Sequence, residues 1–175
     1  MSINSPFLRE KLGRGEILNS KHTATDEHTH WMQAALKLAQ KAEALGEVPV
    51  GAVLVKDNQI IGQGFNQPIT KCDPSAHAEI IALREAGVLT QNYRLVDTIM
   101  YVTLEPCAMC AMAMVHARVK MIVFATREPR SGAGGSLHQL LQHPQHNHQV
   151  EIIEGVLQQE SSHYLKTFFK NRRKK

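Results

Sequence analysis

Apolar side chains recur along the chain with spacings that change between helical and extended. Between Trp31 and Leu45 they return every three or four positions, which predicts a helix that ends before Gly46. Val50–Val55 and Ile60–Phe65 are rich in residues that favour strands, and the short polar segment between them predicts a hairpin. The first half of the chain therefore begins as a helix followed by two paired strands.

The rest of the chain continues as alternating helices and strands. The turn residues Asp73-Pro74-Ser75 predict the start of a helix that reaches about Gly87. The further predicted elements are a strand at Thr98–Leu104, a helix from Pro106 to about Ala117, a strand at Lys120–Thr126, a loop at 127–149 with one helical turn near Leu137–Leu141, a strand at Val150–Ile153 and a helix at Gln158–Arg172. This order predicts an α/β three-layer sandwich, with a mixed central β-sheet covered by helices on both faces.

Two regions differ from this pattern. Residues 1–27 lack apolar periodicity and mix both charge signs, so we expect a flexible N-terminal extension. Residues 28–175 show no internal repeat and are predicted to form a single domain that ends in a basic helix.

Composition narrows the class of protein. With 175 residues, 43% hydrophobic and 21% charged, the chain can bury a core without help from disulfides or metals. Its longest apolar run, Cys107–Val115, is nine residues, and a membrane span needs about 18. Since 1–27 also lack a signal-peptide core, we expect a cytoplasmic protein whose three cysteines are reduced or metal-bound.

The net charge of +4 depends on the C-terminus. Residues 166–175 contain six basic side chains and no acidic one. Without these six the chain has 14 basic and 16 acidic residues, a net charge of −2. Such a tail is either a solvated terminus or a contact for a polyanion, and composition does not separate the two.

Two short motifs carry candidate chemistry: His77-Ala78-Glu79 and Pro106-Cys107-Ala108-Met109-Cys110. Each opens a predicted helix, and cysteines three positions apart share one helix face. Two thiolates and an imidazole suit zinc, and three protein ligands leave the fourth position to water, as in catalytic zinc sites. Glu79 is then placed to transfer protons to and from that water.

Other interpretations of these residues remain open at this stage. Cys72, five residues before His77, can complete a closed structural Cys₃His site, although Glu79 then has no task. A redox role for the two cysteines lacks supporting context. His116 is expected to be a helix-end residue. The loop histidines have no regular ligand spacing, so they are surface residues or substrate contacts; they are His138, His143, His146 and His148.

H-x-E followed by P-C-x-x-C is the signature of zinc-dependent deaminases. The chain resembles one family more widely, the bacterial tRNA-specific adenosine deaminases. The segments that carry the resemblance are Glu47–Val55, Asp73–Ile80, Asn92–Leu95, Tyr101–Cys107, Gly132–Ser136 and Phe168-Phe169 before the basic run. The similarity extends over about residues 28–172.

This resemblance implies a homodimeric enzyme with the cytidine-deaminase-like fold. It would convert adenosine to inosine at the wobble position of a tRNA anticodon. One Zn²⁺ per chain would be bound by His77, Cys107 and Cys110, with Glu79 as the proton shuttle. Asn66 matches the family position that hydrogen-bonds the target base. The helix at 108–115 is apolar on all sides, which agrees with a partner chain covering one of them.

The remaining substrate contacts are expected at Glu128, Arg172 and Arg173. Glu128 stands where the family often has Asp, in a loop beside the bound nucleotide, and its longer side chain changes the expected ribose contact. Arg172 and Arg173 belong to the tail, whose outward charges are predicted to meet tRNA phosphates. The apolar side chains of the same helix are predicted to dock on the body: Tyr164, Leu165, Phe168 and Phe169.

Two other functions compete with this one. A deaminase of free guanine or cytosine compounds would use the same chemistry, but the basic tail argues against it. A noncatalytic zinc-stabilised RNA-binding module would have no use for Glu79.

Overall fold

The computed structural model describes residues 15–173. In chain order the elements are α1 (Gly15–Ala44), β1 (Gly51–Lys56), β2 (Gln59–Phe65), α2 (Pro68–Lys71), α3 (Ala78–Thr90), β3 (Ile99–Leu104), α4 (Ala108–Ala117), β4 (Met121–Thr126), β5 (Glu151–Glu154) and α5 (Gln158–Arg172). All the strands predicted from sequence are present, with ends within about one residue of their predicted positions.

The five strands form one mixed sheet in the order β2-β1-β3-β4-β5. β1 runs antiparallel to β2 and β3, whereas β3, β4 and β5 are parallel to one another. A parallel strand pair needs a crossover connection, and α4 supplies it between β3 and β4. The predicted α/β class and mixed sheet are confirmed.

Helices cover both faces of this sheet, as predicted. The side chains of Leu54, Met100 and Phe124 point to the face that α3 and α4 cover. Val53, Tyr101 and Val123 point to the opposite face, which α1 covers. Because successive strand residues alternate between faces, strands buried on both sides are apolar throughout, which explains why they were easy to find from sequence.

Helix α3 lies unusually close to β2. A Cβ atom on Gly64 would lie 2.2 Å from the carbonyl oxygen of Ala78, and one on Gly62 would lie 2.2 Å from that of Ala82. Only glycine permits this approach, which fixes the first turn of α3 against the sheet. The predicted hairpin before it is confirmed, with Asp57 and Asn58 both at positive φ, as two-residue turns require.

The predicted flexible extension, residues 1–27, overlaps the first helix. Helix α1 begins at Gly15, so residues 15–27 of the predicted flexible extension are helical, while residues 1–14 lie outside the described residues. A helix needs an apolar stripe only where it packs, and the exposed Asp26 and Glu27 show that the helix has left the core at this point. A segment without apolar periodicity can therefore still be helical, and the flexibility of residues 1–27 stays a prediction.

The helix predicted from Asp73 begins later, at Ala78, and continues to Thr90. Asp73 instead closes a turn, since its carboxylate accepts hydrogen bonds from the Ser75 N–H at 2.8 Å and the Ser75 hydroxyl at 2.7 Å. The four-residue helix α2 was not predicted because one turn shows no periodicity.

The helical turn predicted near Leu137–Leu141 is also wrong. This segment forms an isolated bridge between Gly134 and Gln139, and Leu141 is buried. Within the described residues, no helix is long and apolar enough to cross a membrane.

Candidate active site

His77 reaches the site because it is the N-cap residue of α3. Its backbone is extended (φ −75°, ψ 153°), and its carbonyl accepts the first helical bond, from the N–H of Ile81 at 3.0 Å. The turn that begins at Asp73 brings the chain to this position. Arg84 supports the turn from α3, with its guanidinium 3.8 Å from the Asp73 carboxylate.

Cys107 has the equivalent position on α4. It is the N-cap residue, also with extended backbone (φ −73°, ψ 173°), and its carbonyl accepts a bond from the N–H of Ala111 at 2.9 Å. Cys110 lies one turn further on and is fully buried. Both motifs therefore place a side chain at the N-terminus of a helix, where unpaired N–H groups and the helix dipole stabilise negative charge.

The structure brings His77, Cys107 and Cys110 together. His77 Nδ1 lies 3.7 Å from Cys107 Sγ and 3.6 Å from Cys110 Sγ. One ligand atom from each of the three lies within 4.8 Å of the others. In a tetrahedral zinc site with bonds of about 2.0 Å to nitrogen and 2.3 Å to sulfur, such atoms lie roughly 3.5 Å apart. The spacing and the donor set both fit zinc.

Cys72 does not join this group. It is exposed, it ends α2 at a positive φ of 50°, and its Sγ contacts the carbonyl of Ile69 at 3.7 Å. The closed Cys₃His alternative therefore has no support in the described structure.

The pKa values of the two thiols shift in opposite directions. A hydrogen bond from Cys110, followed by one involving His77, lowers the pKa of Cys107 to about 4. The same contact with Cys107, together with burial, raises the pKa of Cys110. The hydrogen bond with Cys107 in turn raises the pKa of His77. The lowered pKa of Cys107 favours its thiolate form, which is the form that binds a metal ion.

Glu79 lies in the first turn of α3 and is 4% exposed. Burial raises the pKa of its carboxyl, an effect that the positive charge of His77 opposes. The charge of Cys107 also raises the pKa of Glu79, whereas a hydrogen bond with Cys110 lowers it. The four side chains of His77, Glu79, Cys107 and Cys110 are called the metal cradle below.

Asn66 borders the metal cradle. Its Oδ1 accepts a hydrogen bond from the backbone N–H of Ala78 at 3.0 Å, and its own N–H donates to the carbonyl of Val50. The Asn66 side chain therefore caps the N-terminus of α3 from outside the helix. Its partner, Ala78, lies between His77 and Glu79 in sequence. Its position beside the cradle is a fact of the fold, while its contact with a base is a prediction.

The other three predicted contact residues meet in one surface cleft. Glu128, Arg172 and Arg173 line a volume of about 530 Å³ together with Arg130 and Phe169, and these five residues are called the arginine cleft below. Arg130 was not singled out from sequence.

Phe169 was expected to dock with Phe168, but Phe168 is 6% exposed and Phe169 is 47% exposed. Two adjacent residues on a helix cannot both face the core, so only one of them docks.

Glu105 was also missed. It lies between β3 and α4, it is 3% exposed, and its carboxylate accepts hydrogen bonds from three backbone N–H groups and one hydroxyl in the segment 128–136. Burial alone would raise its pKa, but the bonds from Ser136, Glu128 and Gly134 outweigh burial and lower the pKa of the Glu105 carboxyl. An acidic residue directly after a buried strand and before a predicted ligand is the signal that could have identified it.

His116 and the loop histidines do not belong to the metal cradle. His116 is exposed in the last turn of α4, as predicted. Among the loop histidines, His148 lies 2.7 Å from the carbonyl of Val119, and the rings of His143 and His146 are 5.0 Å apart. These contacts organise the loop at the far end of α4.

Comparisons with known proteins agree with this geometry. A family model of the cytidine and deoxycytidylate deaminase zinc-binding region matches residues 25–126. A tRNA-specific adenosine deaminase from Haemophilus influenzae is 53% identical over 143 residues, which cover 81% of this chain and 83% of that protein. One from Bacillus subtilis is 45% identical over 145 residues, covering 83% of this chain and 90% of that protein.

Solved structures are similar as well, and one of them is a tRNA deaminase. It comes from a study of A-to-I editing by tRNA:A34 deaminases at the wobble position of transfer RNA. Its TM-score to this chain is 0.76 at 37% identity, and the match covers 78% of this chain and 99% of the other. The region matched by the family model contains Asn66 and the whole metal cradle, and it ends two residues before Glu128.

Proposed function

Because the chain belongs to the cytidine and deoxycytidylate deaminase family, among its tRNA-specific adenosine deaminases, we propose that it converts adenosine to inosine at the wobble position of a tRNA anticodon. We assign this activity to a single zinc-dependent deaminase domain at residues 28–175. The observation that carries the proposal is the metal cradle, in which three ligand atoms converge beside a buried carboxyl group.

We assign one Zn²⁺ per chain to His77, Cys107 and Cys110. A zinc ion bound there supplies the Lewis acidity that makes water reactive near neutral pH. The fit is supported by the nitrogen–sulfur distances of 3.6 and 3.7 Å and by the exposed position of Cys72 outside the group. Three protein ligands, rather than four, are the arrangement of catalytic sites.

Glu79 moves the protons of the reaction. Its carboxylate accepts a proton from water as the new C6–O bond forms, and it gives a proton to the amino nitrogen as the C6–N bond breaks. Adenosine and water thus become inosine and ammonia, with no other reactant. The placement of Glu79 in the first turn of α3, two residues after His77, keeps its carboxyl beside the ligands and out of bulk water.

Asn66 orients the base. Its Oδ1 is held by the N–H of Ala78, which leaves the amide NH₂ group to donate to the target base. A side chain that is fixed at one end loses less freedom when it binds, so this contact favours a defined orientation of the base over the cradle.

The arginine cleft binds the RNA around the edited nucleotide. Arg172 and Arg173 contact phosphates, and Glu128 accepts a hydrogen bond from ribose. An adenosine in an anticodon loop is already partly unstacked, so its presentation to the cradle requires less energy than opening a duplex.

We also propose that the enzyme is a homodimer. On α4, Met109 is 38% exposed and Met112 and Ala113 are half-buried, so an apolar stripe remains on the outside of the helix. This stripe borders an apolar groove of about 380 Å³ between α3 and α4, near Leu83 and Tyr93. A second copy of the chain would cover it, and sedimentation should then show a dimer at micromolar concentration; a monomer would contradict this.

The decisive experiment is incubation with total tRNA, followed by sequencing to locate inosine. We expect inosine at a wobble position with the wild-type protein and far less of it with Glu79→Gln. Efficient turnover of free cytidine or guanine, with none of an anticodon stem-loop, would favour a nucleoside or free-base deaminase. Zinc-dependent RNA binding without any deamination would favour a noncatalytic module.

A further inference from the structure

Residues 128–136 form a loop without helix or strand, yet this loop is attached to the beginning of α4. The N–H of Ala133 donates to the carbonyl of Pro106 at 2.8 Å, and Gly132 forms a β-bridge with Cys107. The loop therefore contacts the metal cradle through the backbone of one of its ligands.

The same loop is held from the inside by Glu105. One carboxylate oxygen, Oε1, accepts the N–H groups of Gly134 at 2.9 Å and Ser136 at 3.0 Å. The other, Oε2, accepts the N–H of Glu128 at 2.9 Å and the hydroxyl of Ser136. Four donors around one buried carboxylate form a fully satisfied network, which fixes backbone that would otherwise be free to move.

The fit between Glu105 and the loop is close. A Cβ atom on Gly132 would lie 2.4 Å from both Cδ and Oε2 of Glu105, and 2.6 Å from the carbonyl oxygen of Glu128. The backbone at Gly132 thus touches the carboxylate directly, and only glycine leaves room for it.

The loop held by Glu105 also supplies two residues of the arginine cleft. Glu128, whose N–H is bound by Glu105, begins the loop and lines the arginine cleft together with Arg130. The Glu128 side chain is itself ordered, since its Oε1 accepts the N–H of Arg130 at 2.9 Å. Glu105 is therefore bonded both to the loop that lines the cleft and, through the chain, to Cys107.

We infer that Glu105 is a positioning residue, which sets the arginine cleft in register with the metal cradle so that a nucleotide engages both. This inference rests on the proposed function. Glu105 does not touch substrate; it acts through the backbone of the 128–136 loop and through the side chains that this loop presents.

Three variants test this role of Glu105: Glu105→Ala, Glu105→Gln and Ser136→Ala. The control is Glu151→Gln, which changes an exposed carboxylate elsewhere. A glutamine keeps one acceptor oxygen, which can still serve Gly134 and Ser136, while the Ser136 hydroxyl can turn to accept from the new amide. Only the N–H of Glu128 then lacks a partner, so the effect of Glu105→Gln should lie between those of the wild type and Glu105→Ala.

The measurement is steady-state kinetics on an RNA anticodon stem-loop, which shows how far a change in kcat/KM comes from kcat and how far from KM. We expect Glu105→Ala to lower kcat/KM by about 10- to 100-fold, as typical for residues that orient a metal site, mainly through a higher KM. Zinc content should stay at the wild-type level. The KM values should rise in the order wild type, Ser136→Ala, Glu105→Gln, Glu105→Ala, with Glu151→Gln equal to the wild type.

A purely structural role would lower the melting temperature and the fraction of active enzyme, and so kcat, without raising KM. That result would overturn the inference, and so would loss of zinc from Glu105→Gln. If Glu105→Ala does not fold, the order among Ser136→Ala, Glu105→Gln and the wild type decides the question.

A failure of the proposed function is recognised separately. In that case the wild type itself forms no inosine, and amide exchange measured by NMR still tests the contact. Glu105→Gln should remove the exchange protection of the Glu128 amide and leave that of the Gly51 amide, which bonds to Thr103, unchanged. Unchanged protection at Glu128 would contradict the role of Glu105.

Discussion

The metal cradle and the arginine cleft are built in opposite ways. The cradle comes from two local motifs, each at the N-terminus of a helix that packs on the same face of the sheet, and its ligand atoms converge within a few ångström. The cleft is formed by residues from a loop and from α5, and most of its side chains are exposed. Two of the four cradle side chains, Glu79 and Cys110, are buried, and the other two are half-buried at helix N-termini, whereas the cleft depends on Glu105 and on the docking of Phe168.

This difference has consequences for mutation. A change in the cradle should remove chemistry while the chain still binds RNA. A change in the cleft should weaken binding while the chemistry of a bound base is kept. The following predictions test this separation, from the largest expected effect to the smallest.

Replacing any one of His77, Cys107 or Cys110 by Ala should abolish deamination and remove zinc, because two ligands do not hold the ion in a protein site. Metal analysis of the purified variants measures this directly. Cys72→Ser is the matched control and should keep one zinc per chain. Loss of zinc from Cys72→Ser would restore the closed structural site.

Glu79→Gln should fold, keep its zinc and still bind the stem-loop, yet deaminate at least 10²- to 10⁴-fold more slowly, the range typical of a general acid–base group. Single-turnover kinetics at saturating RNA separates this loss from any change in binding. Activity within a few-fold of the wild type would exclude Glu79 from proton transfer.

Replacing Phe168 or Phe169 distinguishes the packing of α5 on the body from the binding of RNA by α5. Phe168→Ala should reduce the free energy of unfolding by about 3 kcal/mol, since it removes a buried ring and leaves a cavity. Phe169→Ala removes a ring that is 47% exposed, so the melting temperature should change little while stem-loop affinity falls. Equal thermal shifts in the two variants would mean that both rings dock.

The tail charges should have the smallest effect on chemistry. Replacing Lys170, Arg172 and Arg173 by Ala should weaken stem-loop binding and flatten its salt dependence, by a slope of about 0.7 to 0.9 for each phosphate contact removed. Arg172 also lies over the ring of Phe168, 5.4 Å from its centroid, so thermal unfolding must be measured in parallel.

The charge-matched control replaces three exposed lysines outside the cleft, Lys37, Lys41 and Lys120. It should leave the salt slope unchanged. Because phosphate contacts position RNA without selecting a base, the edited adenosine should be the same in every variant. An unchanged slope in the tail variant would mean that the tail is a solvated terminus.

Much of the fold could be predicted because burial leaves a periodic signal. The strands were found to within about one residue, since the central ones are apolar on both faces. The errors fall where that signal is absent. The start of α1 shows no apolar periodicity, the single turn of α2 was too short to detect, and the turn at Asp73 resembled a helix start.

The same difference applies to the site, where the metal cradle could be predicted from the sequence and the arginine cleft could not. His77, Glu79, Cys107 and Cys110 could be identified from residue type and spacing, because metal ligation restricts both within a few positions of the chain. The cleft could not be assembled in this way, because its members lie about forty residues apart and are joined only through folded contacts. The sequence resemblance proposed Glu128, Arg172 and Arg173 separately, and it gave no indication that they share one cleft.

Residue order thus fixes which helices and strands form and which side chains can hold a metal ion, since both depend on neighbours within a few positions. Strand order, the exclusion of Cys72, the choice of Phe168 over Phe169 for the core and the four hydrogen bonds to Glu105 arise only in the folded chain. The reason is physical: burial and hydrogen bonding between distant segments are properties of the space that these segments enclose, and no local pattern records them.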